Sequence, residues 1–118
     1  MGSQAEALRE RTKQFAIGIV KLFRSLPRTA EAFVLGKQLL RCGTSVAANY
    51  RAACRARSKP EFISKIGVVV EEADETVFWL ELLTETGVIP RSRMDDMLQE
   101  ANELVRIFSA SQQTAKCA

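Results

Sequence analysis

Residues 35–53 read LGKQLLRCGTSVAANYRAA, and two ridges of side chains run through this stretch. Apolar residues recur every three or four positions, which places them on one face of an α-helix. Polar residues recur at the same spacing one ridge away. The apolar ridge comprises Leu35, Leu39, Cys42, Val46 and Ala53, and the polar ridge comprises Gln38, Arg41, Ser45 and Asn49. The stretch predicts a long helix that packs on a core and carries a polar column beside its apolar seam.

The same helical periodicity continues on both sides of this stretch, and no strand pattern competes with it. Pro27 ends the first helix, Ser58 and Pro60 begin the third, and Gly87 ends the third. The predicted helices span about residues 4–26, 30–57, 59–86 and 92–108, followed by a frayed tail at 109–118. Long helices with short connections predict an all-α fold, an antiparallel up-down-up-down four-helix bundle in which residues 1–118 form a single domain.

The composition argues against an enzyme. The 118 residues include no histidine, which removes the commonest general base and the Glu-x-x-His pairs of di-metal helix bundles. The three cysteines lack CxxC spacing, so neither a zinc site nor a disulfide framework is predicted. No glycine-rich phosphate loop is present. We therefore expect a non-enzymatic protein with no catalytic residue, metal or cofactor.

The sequence also predicts a location away from membranes. No apolar run reaches about 18 residues, and the first residues do not form the apolar core of a signal peptide. Cysteines without a pairing pattern fit a reducing compartment. These features together predict a cytoplasmic protein that does not contact a membrane.

Charge is strongly segregated along the chain. Residues 27–60 carry seven cations and one anion, whereas residues 61–108 carry four cations and eleven anions. The candidates for binding nucleic-acid phosphates are Arg51, Arg55, Arg57 and Lys59. Tyr50 is the aromatic ring beside them, which gives base stacking little support. The same cations could instead pair with acidic helices of a neighbouring protein, so a nucleic-acid partner and a protein partner both stay open.

The polar column on the second helix faces a matching column on the third. Glu72 and Glu75 lie beside the apolar seam of that helix, and Arg41 can reach them if the two helices are antiparallel. Gln38, Arg41, Ser45, Asn49, Glu72 and Glu75 are therefore predicted to form a structural polar network. A ligand site and an ordinary solvated face are the alternatives.

Apolar side chains exceed what one bundle seam needs. Phe78 and Trp79 are adjacent, so one of the two must point away from the core, and Phe33 and Val34 add further apolar surface on the second helix. Exposed apolar ridges of this kind mark subunit contacts. The four residues are candidates for the interface of a homo-oligomer.

Three segments together resemble a known family. They are residues 38–51, QLLRCGTSVAANYR, residues 56–62, ARSKPEF, and residues 71–80, EEADETVFWL. They resemble the bacterial four-helix-bundle family named for proteins encoded in 23S rRNA intervening sequences, over about residues 10–108. The positions that match the family motif are Arg41, Ser45, Asn49, Arg57, Ser58, Phe62, Glu72 and Glu75.

The resemblance implies a four-helix bundle that assembles into a ring-like homo-oligomer, a pentamer. The chain is also similar to the accessory protein of diversity-generating retroelements, which is basic and works with a reverse transcriptase and nucleic acid. The family name reflects gene location and does not establish an activity. We therefore expect a homo-oligomeric scaffold or adaptor of unknown physiological role that contacts RNA or DNA through its basic second helix. The alternative is a structural oligomer that binds only proteins.

Overall fold

The described part of the chain consists of four α-helices. A computed structural model describes residues 2–117, with side chains from residue 4 onward. The helices are α1 (Gly2–Arg24), α2 (Ala30–Ala53), α3 (Lys59–Glu85) and α4 (Asp95–Cys117), and a short 3-10 helix at Arg91–Arg93 precedes α4. No strand occurs between residues 2 and 117. The all-α prediction is confirmed, and the dimensions of 46 × 22 × 21 Å are those of a four-helix bundle. No helix in this range is long and apolar enough to cross a membrane.

Contacts between distant residues show that α1 and α4 run in opposite directions. Arg11 in the middle of α1 bonds Glu100 on α4, whereas Ser25, just after α1, accepts a hydrogen bond from Arg93, just before α4. Helices that are consecutive in the chain pack closely on each other, and α2 and α3 form the closest pair. The helices therefore follow one another around the bundle, with α1 and α4 meeting last.

The observed ends of α1, α2 and α3 differ from the predicted ones by up to about one turn. The first helix ends at Arg24 rather than residue 26, because Pro27 disfavours helical backbone at the residue before it. The second ends at Ala53 rather than residue 57. Ser58 caps α3 from an extended conformation and accepts a hydrogen bond from the Glu61 amide at 3.2 Å, so residues 54–57 must make the reversal.

The predicted frayed tail is instead the last part of α4. That helix, predicted to begin near residue 92, begins at Asp95 after the 3-10 turn and continues to Cys117. Ser111, Gln112 and Ala115 are partly buried. The amide of Gln112 lies over Gly67 on α3, 2.9 Å from the position a β-carbon would take there. The polar tail packs on α3, and this packing explains why its helix continues.

The core is contributed by all four helices, and glycine lets two of them approach closely. A β-carbon on Gly43 of α2 would lie 2.8 Å from Cγ1 of Ile19, which is fully buried on α1. The largest fully buried apolar side chains are Phe108, Ile19, Leu39, Ile66, Leu80, Leu83, Met94 and Leu104. The absence of a side chain at position 43 therefore sets the distance between α1 and α2.

The α1–α4 seam is the loosest of the bundle. α1 and α4 pack on each other much less than the other neighbouring helices do. A shallow groove of about 460 Å³ lies between them. Arg11 spans the seam, with two guanidinium nitrogens 2.7 Å from the carboxylate of Glu100 and one of them also 2.7 Å from Glu103. An arginine clamp thus replaces part of the apolar packing found elsewhere.

Candidate functional site

The structure brings three members of the predicted polar network together. Nη1 of Arg41 lies 3.3 Å from Oε1 of Glu72, and its Nη2 bonds Oε2 of Glu75. The indole nitrogen of Trp79 donates to the same Glu75 oxygen at 3.1 Å. The Arg41 side chain is 50% exposed, so solvent screens these pairs. Their clearest effect is to fix the register of α2 against α3.

The other members of the polar column do not reach α3. The side-chain amide of Asn49 donates to the Ser45 carbonyl of its own helix at 2.9 Å. Ser45 and Asn49 are partly buried, and Gln38 is exposed. In the described structure, Arg41 is therefore the residue of this column that pairs with α3. Asn49 bonds within α2, and Gln38 faces solvent.

A basic groove runs between α1 and α2 at the end where α1 begins. Its volume is about 740 Å³. Four cations line it, Arg9 and Lys13 from α1, and Arg51 and Arg55 from the C-terminal end of α2 and the residues after it. We call this site the basic groove and these four residues its cations. Glu6 and Glu10 also border it, and its remaining lining is small: Thr44, Ala47, Ala48 and Cys54.

The four cations of the basic groove are not held in ion pairs, and with Glu6 and Glu10 included the lining keeps a net charge of +2. Among the residues that the structure describes, none of the four forms a salt bridge within 4.0 Å. Glu10 accepts a hydrogen bond from Gln14 at 2.8 Å instead. Small side chains between the cations leave room for a chain of phosphates to lie against the helices. The groove can therefore bind a polyanion by charge without first breaking an internal ion pair.

Two of the four groove cations were predicted from the sequence. Arg51 and Arg55 line the groove, as their helical spacing suggested. Arg57 and Lys59 are exposed where α2 gives way to α3 and do not line it. Arg9 and Lys13 were missed, although their spacing of four places them on one face of α1.

Tyr50 is not available to stack on a base. The residue is buried, and its ring packs on Phe108 with the centroids 5.0 Å apart. Burial raises the pKa of its hydroxyl to about 12. The exposed aromatic ring of the basic segment is instead Phe33, at 58% exposure.

The four interface candidates lie on two different sides of the bundle. Val34 is 59% exposed, and it precedes Arg41 by two turns on the side of α2 that faces α3. Phe78 is 52% exposed and stands edge-on to the half-buried Trp79 at 4.9 Å. Phe33, one residue before Val34 and turned by about 100°, borders the α1–α2 turn. We call Val34, Phe78 and Trp79 the α2–α3 edge.

The described residues offer no chemistry that would indicate catalysis. No group of three or more Cys, Asp or Glu residues between positions 2 and 117 is arranged to hold a metal ion. Cys42 is buried, and desolvation raises the pKa of its thiol from the usual 9.0. A thiol held in its protonated form is a poor nucleophile.

Comparison with known proteins decides the family. Residues 7–110 match the 23S rRNA-intervening sequence protein family. The chain belongs to this family. A crystal structure from Bacteroides thetaiotaomicron, described as a protein with unknown function from the S23 ribosomal protein family, has a TM-score of 0.85 and 34% sequence identity to the chain. The match covers 92% of this chain and 97% of that one. None of the curated proteins matches the chain. The family resemblance inferred from residues 38–80 is thereby confirmed.

Proposed function

We propose that this 23S rRNA-intervening sequence protein is a non-enzymatic homo-oligomeric scaffold or adaptor of the bacterial cytoplasm, and that it contacts RNA or DNA through the basic groove. The observation that supports nucleic-acid binding is the set of four cations without carboxylate partners in one groove. The proposed contacts are to phosphates, because the described lining combines cations with small side chains and has no exposed aromatic ring on which a base could stack.

The groove makes a quantitative prediction about salt. Each phosphate neutralised by a cation releases condensed counterions, so the logarithm of the binding constant falls with the logarithm of salt concentration by about 0.7 per contact on single strands. If all four groove cations engage phosphates, the slope for one subunit is about −3. An assembly that engages several grooves at once gives a steeper slope.

The test is fluorescence-anisotropy binding of a labelled oligonucleotide at several salt concentrations. Arg51→Ala/Arg55→Ala removes two groove cations, and it should weaken binding and reduce the slope magnitude by about 1.4 per subunit. The matched control is Arg106→Ala/Lys116→Ala, which removes the same charge from exposed positions on α4. No binding, binding that does not depend on salt, or equal losses in both variants would refute the phosphate contact. If the wild type assembles but binds no oligonucleotide, the result favours the purely protein-binding alternative.

Self-association is proposed to occur through the α2–α3 edge. Val34 and Phe78 expose large apolar side chains there. Trp79 is partly buried beside them. The family resemblance implies a ring of five subunits. A head-to-tail contact that repeats in each copy forms such a ring when its rotation closes.

Light scattering tests this assembly directly. The wild type should have a mass that is a multiple of 13.1 kDa, and Val34→Ser/Phe78→Ser should shift it towards a smaller species. Ile17→Ser is the matched control, since Ile17 is an exposed apolar residue of α1 outside the α2–α3 edge. A wild-type particle of one subunit at micromolar concentration would refute the oligomer.

A further inference from the structure

Phe33 is an exposed aromatic ring surrounded by positive charge. It lies in the first turns of α2, and the ammonium of Lys37 stands over its ring, 5.2 Å from the centroid. The ammonium occupies one side of the ring, and 58% of the residue remains open to solvent. An exposed ring among cations is the arrangement on which unpaired nucleic-acid bases stack.

A pocket adjoins this ring. The α1–α2 turn and the first residues of α2 enclose about 430 Å³, which falls within the range of about 300–1,000 Å³ typical of small-ligand sites. Its lining combines apolar side chains with two cations and no carboxylate: Phe23, Arg24, Leu26, Pro27, Arg28, Thr29, Ala32 and Phe33. We call it the end pocket. It provides a flat apolar partner for a base and positive charge for the adjoining phosphate.

The end pocket lies in line with the basic groove. Phe33 and Arg51 are 18 residues apart on α2, which is five full turns, so both lie on the same line along the helix about 27 Å apart. Lys13 and Arg24 on α1 are separated by three turns and share a line in the same way. Because α1 and α2 pack side by side, both sites open along the same helix pair, and we call the line between them the α1–α2 furrow.

We propose that a single-stranded nucleic acid lies along the α1–α2 furrow, with its phosphates in the basic groove and one unpaired base stacked on Phe33 in the end pocket. This inference rests on the proposed nucleic-acid function and adds that the protein prefers single strands to duplexes. A duplex presents phosphates to the groove equally well, but its bases are already paired and stacked and cannot enter the pocket. The furrow therefore selects single strands over duplexes.

The experiment compares three probes of the same length, about 16 nucleotides. They are a homopolymeric single strand, a duplex, and an abasic strand that keeps the phosphates and lacks the bases. Phe33→Ala should weaken binding of the single strand by about 5- to 100-fold and change binding of the other two probes by less than about twofold. Phe33→Tyr keeps an aromatic face and should bind the single strand like the wild type.

The matched control is Val68→Ala, which removes an exposed apolar side chain of α3 that lines neither the basic groove nor the end pocket and lies outside the α2–α3 edge. It should leave the ratio of single-strand to duplex affinity unchanged. Light scattering and thermal unfolding of each variant establish that assembly and fold are retained.

The outcomes separate this inference from the proposed function. Single-strand binding that Phe33→Ala leaves unchanged refutes base stacking and leaves the groove intact as a phosphate site. Equal losses for all three probes also refute stacking, since the ring would then act on the groove itself. Dissociation of the assembly in Phe33→Ala refutes it as well and assigns the ring to a subunit contact. If the wild type binds none of the probes, the proposed function itself fails.

Discussion

Substitution of Gly43 by alanine tests how closely α1 and α2 approach. In a helix interior, glycine to alanine alone stabilises by about 0.8–1.0 kcal/mol. At this position the new β-carbon would lie 2.8 Å from Cγ1, 3.0 Å from Cγ2 and 3.2 Å from Cδ1 of Ile19. Ile19 is β-branched and fully buried, so it cannot rotate into free space. Overpacking of a tight core costs about 1–3 kcal/mol.

The two effects leave a net destabilisation of about 1 kcal/mol for Gly43→Ala. Gly18→Ala on α1 is the matched control, because a β-carbon there meets only the terminal methyl of Met97, at 3.0 Å. That methyl can move, so Gly18→Ala should retain most of the helix gain and stabilise the protein. The free energy of unfolding is measured in urea at one fixed protein concentration, since self-association changes apparent stability.

A double substitution makes the test sharper. In an Ile19→Ala background the obstructing atoms are gone, and Gly43→Ala should change sign and stabilise the protein relative to Ile19→Ala alone. The reversal is read as a coupling energy in a double-mutant cycle. If Gly43→Ala stabilises the wild type by the full helix amount, the reasoning is wrong and the two helices are further apart than described.

Three further predictions concern charge and thiol chemistry. Hydrogen bonding from Arg11 holds the pKa of the Glu103 carboxyl below its usual 4.5, so the resulting stability is present above about pH 4.5 and is lost as pH falls further. Denaturant midpoints measured from pH 7 to pH 3 should therefore fall less in Arg11→Ala than in the wild type, and parallel curves would contradict this. Cys117 is exposed and should react with a thiol reagent well before the buried Cys42, and simultaneous labelling in the folded protein would contradict that order. Arg41→Ala should cost less than about 1 kcal/mol in urea unfolding, because half of that side chain is in solvent, and a loss of several kcal/mol would show that the pair is far less screened.

The periodicity of apolar residues was sufficient to predict an all-α fold of four helices. It could not predict where α2 ends, because residues 54–57 are compatible with a helix on their own. They leave the helix because Ser58 begins the next one from an extended conformation. The helical tail was missed for a similar reason. Its serines and glutamines indicate a loose end locally, and only the contact of Gln112 with α3 shows that it is packed.

The candidate site was predictable only in the part that lies on a single helix. The spacing of Arg51 and Arg55 was visible in the sequence, but Arg9 and Lys13 join them only because α1 packs beside α2. The burial of Tyr50 could have been predicted, since it follows Val46 by four residues on the apolar ridge. The separation of Phe33 from Val34 was equally accessible, because adjacent residues on a helix point about 100° apart.

The arginine clamp across the α1–α4 seam has a consequence for how the native state fluctuates. Where apolar packing is sparse, partial opening costs less free energy than global unfolding. Amide hydrogens of α1 and α4 should therefore exchange with deuterium through such partial openings, whereas those at the centres of α2 and α3 should exchange only when the whole bundle unfolds. Because α1 also forms one wall of the basic groove, we expect partial opening of the α1–α4 seam to change the width of that groove.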